Sequence, residues 1–184
     1  MSEELIIRSA APTLAGLKTG SLFPCRFASR QQLIDEIRAV NGRLGRKGLR
    51  LLPLRIRDGD ALLYLYRPQR LRRDLENGEA RAVLAEAGYD DFRPGRCLPR
   101  LMERFRRDGE FPHEVGLFLS YPPEDVRGFI AHKGRNCKCV GCWKVYGDAE
   151  QARRRFEGYR RCTDLCCRRY AMGVPMDELL VSGS

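Results

Sequence analysis

The sequence predicts an α+β fold in which helices pack on a small, largely antiparallel sheet. Three observations lead to this prediction. Two short apolar runs, 49–57 and 61–67, flank an Asp-Gly turn, as in a β-hairpin. Apolar side chains recur at helical spacing in several other segments, and the last of these, roughly 149–171, is long. Helices of this kind combined with a small hairpin-based sheet are typical of an α+β domain.

The N-terminal segment contains one predicted strand followed by one predicted helix. Residues 14–23 come after the turn-like Ala-Ala-Pro-Thr and are predicted to form the first strand. Ser29 precedes Gln32 by three residues, which is the spacing of a capping box. The apolar positions that follow recur every three or four residues, so residues 30–44 are predicted to form an amphipathic helix.

The next segment is the strongest strand signal in the chain. Asp58-Gly59-Asp60 separates two apolar runs, and both turn residues tolerate positive φ. Pro53 cannot donate to a neighbouring strand, so the first run is expected at a sheet edge or at a bulge.

The middle of the chain alternates short helices with one further strand. Helices are predicted from Pro68 to about Leu75, over 79–87 and over 97–107, because Gly and Pro interrupt the helical pattern between them. Residues 115–119, VGLFL, are apolar without alternation, which favours a strand covered on both faces.

Two helices complete the prediction. One begins at Tyr121-Pro122-Pro123 and ends at Gly134, with Val126, Phe129 and Ile130 pointing the same way. The other is the long helix 149–171, for which Asp148 is the expected N-cap.

Length and composition predict a single domain, 1–184, with 133–172 as a cysteine-rich subregion. The chain has 184 residues, of which 43% are hydrophobic, enough for a sizeable core. No run approaches the roughly 20 apolar residues of a membrane helix, and the N-terminus does not resemble a secretory signal. A cytoplasmic location without membrane contact is therefore expected.

The net charge of +10 comes mainly from arginine, which supplies 29 of the 34 basic residues. A charge of this size favours nucleic acid as a partner. The alternative is that arginines are distributed over solvated faces, and their scatter along the chain favours this alternative. RNA-recognition and zinc-finger patterns are absent from the sequence.

The eight cysteines are the most informative feature of the composition. A reducing cytoplasm disfavours disulfides, so metal ligation, redox chemistry or burial must explain them. Cys137, Cys139 and Cys142 have the spacing C-x-C-x-x-C, and Gly141 is expected to let the backbone between the thiolates turn sharply. Cys25 and Cys97 stand alone and are predicted to be buried thiols.

A fourth ligand is expected from the last helix or from His132. Cys166 falls on the apolar stripe of 149–171, and Cys162 lies one turn before it, so both can point toward one site. Four thiolates suit zinc or an iron–sulfur cluster. Two alternatives remain open: the helix cysteines are core fillers, or Cys139 and Cys142 carry out thiol–disulfide exchange.

A second candidate site lies around residue 113. His113 and Glu114 are adjacent and would face opposite sides of a strand, so they form no simple dyad. His113 suits a general base because imidazole titrates near neutral pH. Its alternative role is structural, at a strand end. With Tyr121, these residues are the candidate catalytic set.

Four stretches together resemble domain-of-unknown-function family 3793, uncharacterised proteins chiefly from anaerobic bacteria. The stretches are FPHEVGLFLSYPPEDVRGFI, NCKCVGCWKVYGD, APTLAGLKTGSLF and KGLRLLPLRIRDGDALLYLYRP. The family's Pro-His-Glu motif matches residues 112–114. Its Leu-Gly-Tyr-Pro motif matches residues 119–122, with Ser120 in place of glycine.

The resemblance covers nearly the whole chain and implies no particular reaction. Many relatives carry a cysteine just before Ala-Pro-Thr, where this chain has Ala10 and Ala11, so a ligand at that position would be missing here. The resemblance implies a protein of an anaerobe's cytoplasm with oxygen-sensitive thiol or metal chemistry.

Three functional hypotheses follow. The first is a zinc or iron–sulfur protein in metal handling, redox chemistry or regulation, with a protein partner for redox or metal transfer. The second is a small enzyme with a pocket around His113, Glu114 and Tyr121. The third is a basic nucleic-acid-binding module.

Overall fold

A computed structural model describes residues 1–107 and 111–180. Contacts between Cα atoms divide the chain into two compact units. Among the described residues, the first unit comprises 1–69 and 161–180, and the second comprises 70–107 and 111–160. None of the helices in the described ranges is both long enough and apolar enough to cross a membrane.

The elements confirm the predicted α+β class. The helices are α1 (Glu3–Leu14), α2 (Arg30–Leu44), α3 (Pro68–Glu76), α4 (Gly78–Glu86), α5 (Pro94–Arg106), α6 (Val115–Phe118), α7 (Pro123–Ala131) and α8 (Ala149–Ala171). The strands are β1 (Gly20–Arg26), β2 (Arg50–Arg57), β3 (Asp60–Tyr66), β4 (Cys139–Val140) and β5 (Lys144–Val145). Short 3-10 turns cover Gly45–Lys47 and Met176–Leu179.

The first unit contains the three-stranded antiparallel sheet, in the order β1-β3-β2. The predicted hairpin joins β2 to β3, and Gly59 takes the positive φ of +73° that its turn requires. Both expectations for Pro53 are confirmed, because β2 is an edge strand and its register shifts between Pro53 and Arg55.

One face of this sheet is covered by helices, which bury a continuous apolar core. Buried members of the core come from α1, α2, the sheet, the C-terminal part of α8 and the 3-10 turn Met176–Leu179. They include Ile6, Ile7, Leu14, Leu33, Leu44, Leu51, Leu63, Leu65, Cys166, Met176 and Leu179. The predicted helix 30–44 is confirmed as α2, and the Ser29 hydroxyl accepts a hydrogen bond from Gln32 N at 3.2 Å.

The predicted strand 14–23 is wrong in its first half. The chain is helical in α1 up to Leu14, and β1 begins only at Gly20. Ser2 caps α1 by accepting from Leu5 N, and buried residues recur along it at helical spacing. The Ala-Ala-Pro-Thr stretch therefore ends a helix rather than forming a turn of its own.

The predicted strand 115–119 is also wrong, because VGLF forms the short helix α6. Its backbone N–H groups donate to carbonyls three residues earlier, as from Leu117 N to Glu114 O at 3.0 Å. Burial of all four residues makes the run apolar throughout, and such a run does not distinguish a strand from a buried helical turn. Ser120 follows with φ of +62°, the left-handed region that favours glycine.

The second unit consists of α-helices, the hairpin β4–β5 and the first part of α8. Its buried apolar side chains include Leu71, Leu75, Val83, Leu84, Leu101, Phe105, Leu117, Phe118 and Val126. Of the residues predicted to point the same way on the helix that follows Tyr121, Val126 is 3% exposed whereas Ile130 is 42% exposed. The predicted helix 149–171 is confirmed as α8, with Asp148 Oδ1 accepting from Glu150 N and Gln151 N at 2.9 Å.

Candidate functional site

The three clustered cysteines lie on a two-stranded hairpin of the second unit, here called the cysteine hairpin (residues 137–147). β4 and β5 pair antiparallel, with Cys139 opposite Val145. Lys138 N donates to Val145 O at 2.8 Å. Because directly opposite residues share a face, Cys139 lies on the same face as the buried Val145.

Gly141 is needed for packing rather than for the turn. The sequence suggested that its freedom lets the backbone turn sharply, but its φ is not positive. A Cβ at this position would lie 2.2 Å from the ring of Phe156 on α8. The hairpin therefore approaches α8 so closely that only glycine fits without a shift.

The Asp125 carboxylate anchors the cysteine hairpin to α7. It is buried, with 2% of its surface exposed. Oδ2 accepts from Trp143 Nε1 at 2.6 Å, and Oδ1 accepts from Tyr146 N and Gly147 N at 2.7 and 2.8 Å. Three donors satisfy this buried charge, and together they fix the second strand of the hairpin.

Aromatic rings hold the turn of the hairpin from both sides. Trp143 stacks on Tyr121 with centroids 4.7 Å apart and meets Phe156 edge-on at 4.5 Å. The Tyr121 hydroxyl donates to Cys142 O at 3.1 Å. Burial raises the pKa of Tyr121 to about 12, so its hydroxyl remains a neutral donor.

The thiols of the cysteine hairpin are open to solvent to different degrees. Cys137 and Cys139 are half-buried, and Cys142 is exposed. Lys138 Nζ donates to Gly147 O and Lys144 Nζ donates to Gly134 O, each at 2.7 Å. Two cationic side chains are thereby held against the backbone in and beside the hairpin.

The cysteines of α8 belong to the other compact unit. Cys166 is buried in the core of the first unit, and Cys162 packs against that core. The pKa of Cys162 is raised to about 12, mainly by burial and to a smaller extent by the neighbouring Cys166. Burial also raises the pKa of Cys166. A four-thiolate site shared by the trio and α8 stays a prediction.

The two isolated cysteines are buried, as predicted. Cys25 is 3% exposed and Cys97 is fully buried. The Cys97 thiol donates to Asp91 O at 3.1 Å, and burial raises its pKa to about 11. These thiols act as small apolar side chains.

The predicted catalytic set occupies a helical corner rather than a strand end. Glu114 is 1% exposed, accepts from Tyr89 OH at 3.0 Å and forms an ion pair with Arg104. His113 is half-buried, and its ring lies 4.8 Å from that of Phe129. Glu114 therefore has two structural partners, Tyr89 and Arg104, on two other segments of the chain. A catalytic role for the set stays a prediction.

Across residues 1–107 and 111–180, no three His, Cys, Asp or Glu side chains are grouped so that they could hold a metal ion. Asp125, which organises the hairpin, was not singled out from the sequence. An acidic residue in the first turn of a helix is common, so its position gave no signal. The sequence feature that could have pointed to such a residue is Trp143, because a buried indole N–H requires a hydrogen-bond acceptor.

Comparison with models of protein families matches residues 6–180 to a family described as protein of unknown function, DUF3793. This confirms the resemblance found in the sequence, including its extent over nearly the whole chain. Searches of curated proteins and of solved structures found no match.

Proposed function

This chain belongs to the DUF3793 family, and from that premise we propose that it is a metal-binding protein whose cysteine hairpin is the ligand site. The ion is zinc or the iron of an iron–sulfur cluster, and the role lies in metal handling, redox chemistry or regulation. One observation carries the proposal: three solvent-accessible thiols lie within six residues of a hairpin braced at both strands.

Three cysteine sulfur atoms with the spacing C-x-C-x-x-C are suitable ligands for soft and borderline cations. Zinc prefers cysteine ligands in structural sites, and a tetrahedral ion needs one donor beyond Cys137, Cys139 and Cys142. His132 is the donor nearest in sequence within the same unit, and its ring stacks on Tyr146 with centroids 5.6 Å apart. Water is the other source of a fourth ligand.

Binding requires the thiols to turn toward a common point. The backbone of the hairpin is fixed by Asp125, Tyr121 and the β4–β5 pairing. The change is therefore one of side-chain rotation, for which the accessible Cys142 has the most freedom. Ion binding is expected to order the thiol side chains without changing the hairpin backbone.

The charge of the segment supports an anionic complex. Three thiolates around a divalent ion leave a net charge of −1 on the ligand set. Residues 126–147 contain five basic side chains and no acidic one; the basic residues are Arg127, Lys133, Arg135, Lys138 and Lys144. These cations offset the negative charge of the complex.

The test is metal analysis of protein prepared without oxygen, followed by cobalt(II) titration of the metal-free chain. We expect about one zinc per chain, or iron with sulfide, and a sulfur-to-cobalt charge-transfer band in the near ultraviolet. Cys137→Ser, Cys139→Ser and Cys142→Ser should each weaken the band, and the triple serine variant should lose it. Cys97→Ser is the matched control, because this thiol lies in the same unit but is buried, and it should retain the band.

Two outcomes would contradict the proposal. One is wild-type protein that carries no metal as prepared and gives no cobalt band on titration. The other is a triple serine variant of the cysteine hairpin that still binds cobalt as the wild-type protein does.

A further inference from the structure

The second unit contains a cavity of about 500 Å³ that is lined by α3, α4 and the loop entering α5. A cavity of this size accommodates a small organic ligand. Its lining combines guanidinium groups and carboxylates with one aromatic ring. The guanidinium groups and the ring belong to Arg72, Arg81, Arg93 and Phe92.

The arginines of this cavity have N–H groups left over for a ligand. Arg72 Nε donates to Glu76 at 2.9 Å, and its two terminal nitrogens have no partner among the described residues. Arg93 Nε donates to both carboxylate oxygens of Asp91 at 3.0 Å. Arg81 makes no hydrogen bond to a described residue, and its Cζ lies 5.7 Å from the centre of the Phe92 ring. Free guanidinium N–H groups favour the oxygen atoms of a phosphate or carboxylate group.

The carboxylates of the lining provide hydrogen-bond acceptors. Asp91 holds the loop, because its Oδ1 also accepts from Arg93 N at 2.9 Å. Asp90 is exposed and has neither a hydrogen bond nor an ion pair to a described residue. In nucleotide-binding sites, a carboxylate accepts a hydrogen bond from a ribose hydroxyl. Asp90 is suited to this role.

We infer that the cavity binds a ribonucleoside monophosphate. Arg81 binds the phosphate group, with the terminal nitrogens of Arg72 beside it. Asp90 accepts from the ribose, and the Phe92 ring stacks on the base. Arg81 is exposed, and a cation–π contact at an exposed site is weak. It can therefore turn from the ring to the phosphate and leave a ring face for the base.

The charges of the lining favour a ligand with one phosphate group. Three cationic side chains and three carboxylates line the cavity. Arg72 and Arg93 are balanced by Glu76 and Asp91, which leaves Arg81 to balance the phosphate. A second or third phosphate group would bring more negative charge close to the carboxylates. We therefore expect ADP and ATP to bind no more tightly than AMP.

The experiment compares ligands that each lack one of the recognised groups. Isothermal titration calorimetry of the full chain measures AMP, adenosine, 2′-deoxy-AMP, ribose 5-phosphate and inorganic phosphate. We expect one AMP per chain. Adenosine should bind about 10- to 100-fold more weakly, and 2′-deoxy-AMP about 5- to 10-fold, because each loses hydrogen bonds to a charged group. Ribose 5-phosphate should bind about 5- to 100-fold more weakly, because it loses stacking on the ring.

Matched substitutions then test each contact. Arg81→Gln should abolish the preference for AMP over adenosine, and Asp90→Asn should reduce the preference over 2′-deoxy-AMP. Phe92→Leu should reduce the preference over ribose 5-phosphate, whereas Phe92→Tyr keeps the ring and should retain it. Arg73→Gln is the control and should keep the wild-type affinities, because Arg73 is an exposed residue of α3 outside the lining. Each preference compares two ligands on the same variant, so a general loss of stability does not alter it.

Five results would overturn the inference. These are no binding of AMP, equal affinities for AMP and adenosine, inorganic phosphate that binds as tightly as AMP, tighter binding of ADP or ATP, and equal effects of Arg81→Gln and Arg73→Gln. The contacts involve no thiol of the cysteine hairpin, so this site is tested independently of metal binding.

Discussion

The cysteine hairpin and the last turns of α8 carry the same side chain in two different environments. In the hairpin, a buried carboxylate and three aromatic rings hold the backbone, while the thiols remain partly or fully accessible. In α8 the helix holds the backbone, and the thiols of Cys162 and Cys166 pack against a core and have raised pKa values. The first arrangement leaves one thiol exposed and two half-buried, whereas the second buries Cys166 and leaves Cys162 half-buried against the core.

This difference shows that cysteine content alone does not predict chemistry. Burial disfavours the thiolate and makes a cysteine act as a small apolar residue. Accessibility on a braced backbone leaves sulfur free to bind or react. Substitutions in each region should show how far it depends on its own supporting contacts.

Loss of the Asp125 carboxylate should destabilise the hairpin most. In Asp125→Asn, an amide N–H₂ group replaces one of the two oxygens that accept from Trp143, Tyr146 and Gly147. A buried donor left without an acceptor, together with loss of a charged acceptor, lowers the free energy of unfolding by about 3 kcal/mol. Urea denaturation followed by Trp143 fluorescence measures this change.

The neighbouring Glu124 supplies the control for that variant. It is exposed and precedes Asp125 on the same helix, so Glu124→Gln should change stability by no more than about 0.5 kcal/mol. Equal effects of the two substitutions would show that Asp125 does not anchor the hairpin.

A methyl group at Gly141 should separate the hairpin from α8. The added Cβ would lie 2.2 Å from the Phe156 ring, so Gly141→Ala should lower the free energy of unfolding by about 2 kcal/mol. Gly158→Ala is the matched control, since no atom lies within 4 Å of its added Cβ. Replacing a helical glycine by alanine there should raise stability by about 1 kcal/mol. Calorimetric unfolding of both variants tests the contrast, which fails if Gly141→Ala is also stabilising.

The buried thiol of Cys162 should make stability depend on alkaline pH. Its pKa is about 12 in the folded chain against an ordinary value of 9.0, so the folded state holds the proton more tightly than the unfolded state. This contribution is complete below pH 9 and is lost as the pH rises toward 12. Denaturation between pH 8 and about 10.5 should show a shallower decline in Cys162→Ser than in wild type.

The exposed Cys142 provides the comparison for this pH effect. Cys142→Ser is the matched control, because it replaces an exposed thiol of the hairpin turn and leaves the core around Cys162 unchanged. A slope that changes with Cys142 and not with Cys162 would reverse the assignment of the buried and accessible thiols.

The smallest expected effect concerns the segment that enters the hairpin. Lys133 has φ of +50°, which is unfavourable for a residue with a Cβ. Lys133→Gly should relieve this strain, although glycine also gives the unfolded chain more conformational entropy. The net result should be a free energy of unfolding that is higher by about 0.5 kcal/mol. Lys133→Ala retains the Cβ and should show no gain in thermal denaturation; equal stability of the two variants would argue against backbone strain.

Much of the fold could be predicted from short stretches of sequence. The bounds of α2 and α8, the caps Ser29 and Asp148, and the hairpin at Gly59 depend on residues a few positions apart. Caps, turns and amphipathic stripes act over one helical turn or one hairpin, so a local pattern is sufficient to recognise them. The family membership was also recognisable from motifs within the chain.

Other features depended on contacts between distant segments. The run VGLF forms a helix, but its sequence does not show this. A run that is buried on every side is apolar in a strand and in a helical turn alike, so only its surroundings select the conformation. The role of Asp125 rests on hydrogen bonds to residues 18 to 22 positions later, and that of Gly141 on a ring of α8.

The sequence by itself determined the α+β class, the main helices and the spacing of the cysteines, because these are properties of neighbouring residues. Tertiary structure alone decided which thiols are accessible and which are withdrawn into a core. Solvent exposure and pKa depend on the atoms that surround a sulfur, and folding brings most of those atoms from elsewhere in the chain.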